Sequence, residues 1–133
     1  MNRLTKTVWT ETGHRLLGYK GLCSNVHGHS YKWDITIQGD VSEKTGFVLD
    51  FKDLKRVLSD TVLIYDHAFV ICDNDPLINV IDTNLIVLPY KPSVENMIRH
   101  IIEPVKTKLS ALNVDLISIR TQETVTSYAE VIL

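Results

Sequence analysis

The chain reads as one α+β domain in which two strands, two helices and two further strands follow one another. Three patterns predict this. Apolar and polar residues alternate strictly through Ser30–Gly39, helical apolar stripes run through the segments after Asp50 and Ser93, and alternation returns near the C-terminus. With antiparallel hairpins at both ends, the order predicts a four-stranded antiparallel sheet with both helices on one face.

The elements follow in turn. Thr5, Thr7, Val8 and Trp9 favour a strand in Leu4–His14. In SYKWDITIQG, Tyr31, Trp33, Ile35 and Ile37 form the buried face of a second strand. A turn-rich stretch, Asp40–Gly46, lets the chain reverse into Phe47–Phe51. Asp50 can cap a helix running to about Asp60, since Phe51, Leu54, Val57 and Leu58 fall on one face.

Ser93 can cap a second helix over Val94–Leu109, striped by Val94, Met97, Ile98, Ile101, Ile102, Val105 and Leu109. Pro104 lies inside that stripe and is expected to bend or break the helix. Asp115–Glu123 and Ser127–Leu133 complete the sheet around a short connection. The second sheet face would be half bare and the edges long, so the chain is expected to oligomerise.

Composition sets the class. At 133 residues, halves would be too small to bury a good core, so residues 1–133 are expected to form a single domain. A net charge of −2 supplies no basic field for nucleic acid, and no run approaches the roughly 20 apolar residues of a membrane span. MNRLTKTVWTE lacks the apolar core of a secretory signal, and Cys23 and Cys72 make no disulfide framework. The expectation is a cytoplasmic protein with reduced thiols.

The chemistry concentrates in GHRLLGYKGLCSNVHGHSYKW. His27 and His29 flank Gly28, and on an extended chain residues two apart point to the same side. Gly28 allows a close backbone approach. His14, at the end of the preceding strand, can supply a third nitrogen. Three neutral imidazoles with an open fourth position suit catalytic zinc, whereas structural zinc normally fills all four places. Cys23 can close such a site as a fourth ligand, or act as a nucleophile or base whose thiolate the cation favours; spacing leaves both readings open. Asp66-His67 offers a carboxylate that can orient a ring and hold its proton.

Together these residues resemble the 6-pyruvoyltetrahydropterin synthase and 6-carboxytetrahydropterin synthase family. The segments that carry the resemblance are His14-Arg15-Leu16, CSNVHGHSYKW, TGFVLDFKDLK, Asp66-His67, PSVEN and Gln122-Glu123-Thr124, in that order along nearly the whole chain. The resemblance implies the tunnelling fold, zinc on His14, His27 and His29, and a proton-transfer group of Cys23, Asp66 and His67. It also implies that Glu123 anchors the pterin, whose 2-amino and N3–H edge offers a carboxylate two parallel donors. It further implies 7,8-dihydroneopterin triphosphate as substrate, and homohexamers built as two stacked trimers with active sites between subunits.

Three residues separate Cys23 from His27, which resembles the carboxy branch; the pyruvoyl branch typically has a longer insert. The favoured product is therefore 6-carboxy-5,6,7,8-tetrahydropterin, a precursor of queuosine and other deazapurines, formed with loss of triphosphate and acetaldehyde. The alternatives are elimination of triphosphate alone, or a zinc- and pterin-binding oligomer without turnover. Thr10-Glu11-Thr12-Gly13 departs from the family's usual pattern before the first histidine, and the His14–Cys23 loop is short. Arg15, Lys20 and Lys32 are candidate cations for the triphosphate by proximity alone. Cys72 is expected to be a small buried residue, and His100 a solvated one on the long helix.

Overall fold

The structure is a computed structural model describing residues 1–133. β1 (Asn2–His14) and β2 (His27–Gly39) pair antiparallel along their full lengths, from Asn2 opposite Gly39 to His14 opposite His27. Tyr31, Trp33, Ile35 and Ile37 are all fully buried. A one-residue slip would turn these side chains outward at roughly 2 kcal/mol each, a total comparable with the whole stability of a domain. The core therefore sets the register that places His14 against His27.

α1 (Phe51–Thr61) begins where expected, with the Asp50 side chain accepting from the Lys52 N–H. α2 (Val94–Ser110) is capped by Ser93, whose side chain accepts from the Asn96 N–H. Both helices pack on one sheet face, where Leu54, Leu58, Met97, Ile98 and Ile101 join Tyr31 and Trp33 in a single core. Trp33 stacks on Tyr65, with ring centroids 5.6 Å apart, and Tyr65 donates its hydroxyl to the Met97 carbonyl. α2 runs unbroken through Pro104. Proline there removes a single i→i−4 bond, and the buried stripe from Met97 to Leu109 holds the helix on both sides of it.

The four-stranded antiparallel sheet expected from the sequence is corrected to a mixed six-stranded one, ordered β4-β3-β1-β2-β5-β6. β5 (Asp115–Thr124) and β6 (Ser127–Ile132) close one side as expected. On the other side, β3 (Ala68–Cys72) pairs parallel with β1, and β4 (Leu85–Leu88) pairs parallel with β3. All five β3 residues are buried, Cys72 among them. A strand covered on both faces carries no alternation, so its short apolar run has no strand signature. No helix is long and apolar enough to cross a membrane.

Candidate active site

The antiparallel register puts His14 opposite His27 and Thr12 opposite His29. These side chains lie on the helix-bearing face, continuous with buried Thr10 and Tyr31. The pairing is tight at Gly28, where a Cβ would stand 3.0 Å from the Thr12 carbonyl oxygen. The result is a triad whose ligand nitrogens all lie within 4.8 Å of one another. Ring centroids are 4.6 Å apart for His14–His27, 5.2 Å for His14–His29 and 4.9 Å for His27–His29.

Two of the rings are oriented from behind. His14 Nδ1 lies 2.7 Å from the Pro92 carbonyl and His27 Nδ1 lies 2.6 Å from the Asn25 carbonyl. Since a carbonyl only accepts, each Nδ1 carries the proton and each Nε2 presents a bare lone pair in the neutral ring. Burial lowers the His14 pKa below the ordinary histidine value, against the pull of the Pro92 hydrogen bond; burial also lowers that of His29. Burial thus favours the neutral form of His14 and His29, the form that ligates metal.

Glu123 joins them from β5. Its Oε1 lies 3.6 Å from His14 Nε2 and 3.5 Å from His29 Nε2. With His14 neutral and protonated on Nδ1, the carboxylate faces its lone pair rather than a cation, and a metal ion relieves that arrangement. The donor set fits a divalent cation that accepts imidazole nitrogen. His14, His27 and His29 could hold a metal.

Tyr31 is a site residue that alternation classed only as core. Its buried hydroxyl reaches the site, 3.3 Å from Glu123 Oε1 and 3.3 Å from His14 Nε2. Burial foremost, then the Glu123 charge, raises its pKa and keeps it protonated.

Cys23 lies exposed on a 3₁₀ turn, Leu22–Ser24, and lines a pocket of about 440 Å³ with His27 and His29. It stands beside the triad and outside the ligand cluster. Asp66 and His67 form a pair of their own, with Asp66 Oδ2 3.0 Å from His67 Nδ1. Asp66 Oδ1 also accepts from the Glu11 N–H at 2.9 Å, and that bond, then the His67 contact, lowers its pKa. His67 has φ 56°, a left-handed conformation that non-glycine residues adopt at a cost and that is often found at functional sites. It is well exposed and lines a pocket of about 480 Å³ with Glu11, Thr12, Gly28, His29 and Ser30. One chain brings Glu123 to the triad's nitrogens and Cys23 to a pocket lined by His27 and His29, while Asp66 and His67 make no hydrogen bond or ion pair with the triad.

The candidate cations are sorted by their contacts. Arg15 is held in a bidentate pair with Asp75, a buried carboxylate sixty positions along, with Nε to Oδ2 at 2.7 Å. Lys32 falls between buried Tyr31 and Trp33 and so projects from the opposite sheet face. Lys20 is exposed in the loop before Cys23. His100, expected to be solvated, is half-buried with its ring 6.3 Å from that of Tyr65, and burial lowers its pKa. It flanks the apolar stripe of α2 too closely to stay in water.

Comparison with known proteins agrees with this fold. A family model described as 6-pyruvoyl tetrahydropterin synthase matches residues 3–132. A Haemophilus influenzae protein named 6-carboxy-5,6,7,8-tetrahydropterin synthase is 30% identical over 141 residues, covering 98% of each chain. A Rickettsia typhi protein of the same name is 28% identical over 138 residues, covering 98% of this chain and all of its own (100%). Among solved structures, the 6-pyruvoyl tetrahydropterin synthase of Caenorhabditis elegans superposes with a TM-score of 0.75 at 21% identity, covering 99% of this chain and 95% of that one. A protein from Wolinella succinogenes superposes with a TM-score of 0.78 at 19% identity, covering 98% and 97%. These structural likenesses show the fold, and the family match over almost the entire length shows more: the chain belongs to the 6-pyruvoyl tetrahydropterin synthase family.

Proposed function

We propose that this chain is a zinc-dependent 6-carboxy-5,6,7,8-tetrahydropterin synthase acting in the cytoplasm. Its substrate would be 7,8-dihydroneopterin triphosphate, converted with loss of triphosphate and acetaldehyde in queuosine or related deazapurine synthesis. The observation that carries the reading is end-to-end similarity to relatives bearing that name, on a chain that gathers His14, His27, His29 and Glu123 at one point.

His14, His27 and His29 would hold the zinc, with the Pro92 and Asn25 carbonyls fixing two of the rings. Bound there, zinc supplies Lewis-acid polarisation of the substrate's side-chain hydroxyls. Glu123 accepts the 2-amino and N3–H donors of the pterin. Cys23, beside His27 and His29, takes or returns a proton at a side-chain carbon. Asp66 holds the His67 ring for the complementary transfer. Because that pair makes no hydrogen bond or ion pair with the triad of its own chain, a second copy would bring such a pair to the site. This supports a homo-oligomer, read here as a hexamer of two trimers.

Incubating the zinc-loaded protein with 7,8-dihydroneopterin triphosphate and identifying products by mass spectrometry tests the reading. The expected products are the 6-carboxy compound and acetaldehyde. A pyruvoyl product would place the chain in the other branch, and zinc binding without conversion would make it a binding oligomer. Sedimentation velocity checks the assembly, where a monomer at micromolar concentration would contradict it.

A further inference from the structure

Glu123 occupies an irregular place in the sheet. The β5–β6 register shifts between Gln122 and Thr124, so Glu123 has no partner on β6. Such a bulge re-aims a side chain, but it also removes the ladder bonds that would fix the backbone carrying it. On the other side, β2 pairs with β5 as far as Lys32 opposite Gln122. Tyr31 and Glu123 follow one step beyond, on the helix-bearing face.

The Tyr31 hydroxyl lies 3.3 Å from Glu123 Oε1, the one hydrogen bond from a neutral donor that this carboxylate receives. The same hydroxyl is 3.4 Å from His14 Nδ1 and 3.3 Å from Nε2. Being almost equidistant from both, it is not aligned with the in-plane lone pair of Nε2, and Nδ1 carries a proton that it gives to Pro92. Glu123 Oε1 is the acceptor left to it. No hydrogen bond or ion pair within the chain engages Glu123 Oε2, which leaves it for an incoming donor.

We propose that Tyr31 is the positioning residue for Glu123, tying down Oε1 so that the carboxylate of the bulged strand is held ready for the pterin edge. This rests on the pterin-synthase reading given above. Tyr31 touches neither substrate nor reacting carbon in this role, so its effect falls on capture rather than on chemistry.

The test compares Tyr31→Phe, Glu123→Gln and the double variant with the wild-type protein, using 7,8-dihydroneopterin triphosphate for kinetics and 7,8-dihydroneopterin for binding. The ring of Tyr31 is retained, so packing survives. Tyr31→Phe should raise KM and the 7,8-dihydroneopterin Kd about tenfold while kcat changes less than about threefold, the scale of one hydrogen bond to a charged group. Zinc content should stay at the wild-type level. Added to Glu123→Gln, the tyrosine change should have little further effect, because the carboxylate it positions is already gone. An unchanged KM, a fall confined to kcat, or an equal loss in both backgrounds overturns the inference. A wild-type protein that neither binds nor converts the pterin overturns the underlying reading, an outcome seen before any variant is made.

Discussion

His14 and His27 stand directly opposite each other on β1 and β2, and each donates its Nδ1 proton to a backbone carbonyl, Pro92 for one and Asn25 for the other. The pair is thus held from two separate loops, one entering α2 and one leaving the Cys23 turn. The sheet supplies the distance and the loops supply the ring orientation.

Removing either ring should abolish metal binding. His14→Ala and His27→Ala are each expected to lower zinc affinity by more than about 100-fold, beyond the usual loss for a supporting residue. Competition with a chromophoric chelator measures this. Stoichiometric zinc in either variant would sink the ligand assignment.

Cys23 is expected to matter only to turnover. Cys23→Ala should keep zinc and pterin binding while activity falls by roughly 10²–10⁴, the worth of a positioned proton-transfer group. A variant as active as the wild-type protein removes Cys23 from the mechanism; loss of zinc instead would make it a ligand.

Gly28 tests the close approach of the two strands. A methyl group there would meet the Thr12 carbonyl at 3.0 Å, backbone against backbone, within the stretch that carries three histidines. Gly28→Ala should destabilise the fold by about 1–3 kcal/mol by urea denaturation and weaken zinc binding as the strands part. Unchanged stability and affinity would show that the pair yields freely.

The Arg15–Asp75 pair makes a pH prediction. Hydrogen bonding from Arg15, ahead of a smaller opposing effect of burial, lowers the Asp75 pKa below its ordinary 3.8. Below that value the unfolded chain takes up a proton before the folded one does, so stability rises with pH there and is lost as pH falls through the folded pKa. Asp75→Asn should cost about 1–3 kcal/mol at pH 7. The difference from wild type should shrink below about pH 4, the ordinary carboxylate range. A gap that stays constant from pH 7 to pH 3 would remove the charge from the explanation.

Much of this was legible in residue order. The four core residues of β2 announce a strand by alternation, Asp50 and Ser93 mark helix starts by capping chemistry, and His27-Gly28-His29 place two imidazoles together by spacing alone. These are local signals, each set by the geometry of one element. β3 escaped because a short strand buried on both faces shows no period, and β4 because four consecutive apolar residues show none either. α2 does not break at Pro104 because burial of its stripe outweighs one lost hydrogen bond.

The remaining assignments needed contacts between distant positions. Arg15 reads as a free cation until Asp75 is seen to hold it, and Tyr31 reads as core until the β2–β5 register brings its hydroxyl to Glu123. Cys23 and the Asp66–His67 pair read as one group, yet Cys23 and His67 line different pockets, because Asp66 and His67 are tied to the Glu11 backbone on β1 while Cys23 sits on the turn before β2. The sequence by itself determined which side chains are candidates for the chemistry and which faces of β2, α1 and α2 are buried, since period and residue type act over a few positions. Tertiary structure alone decided which of them meet, because strand register and loop closure depend on where the whole core comes to rest.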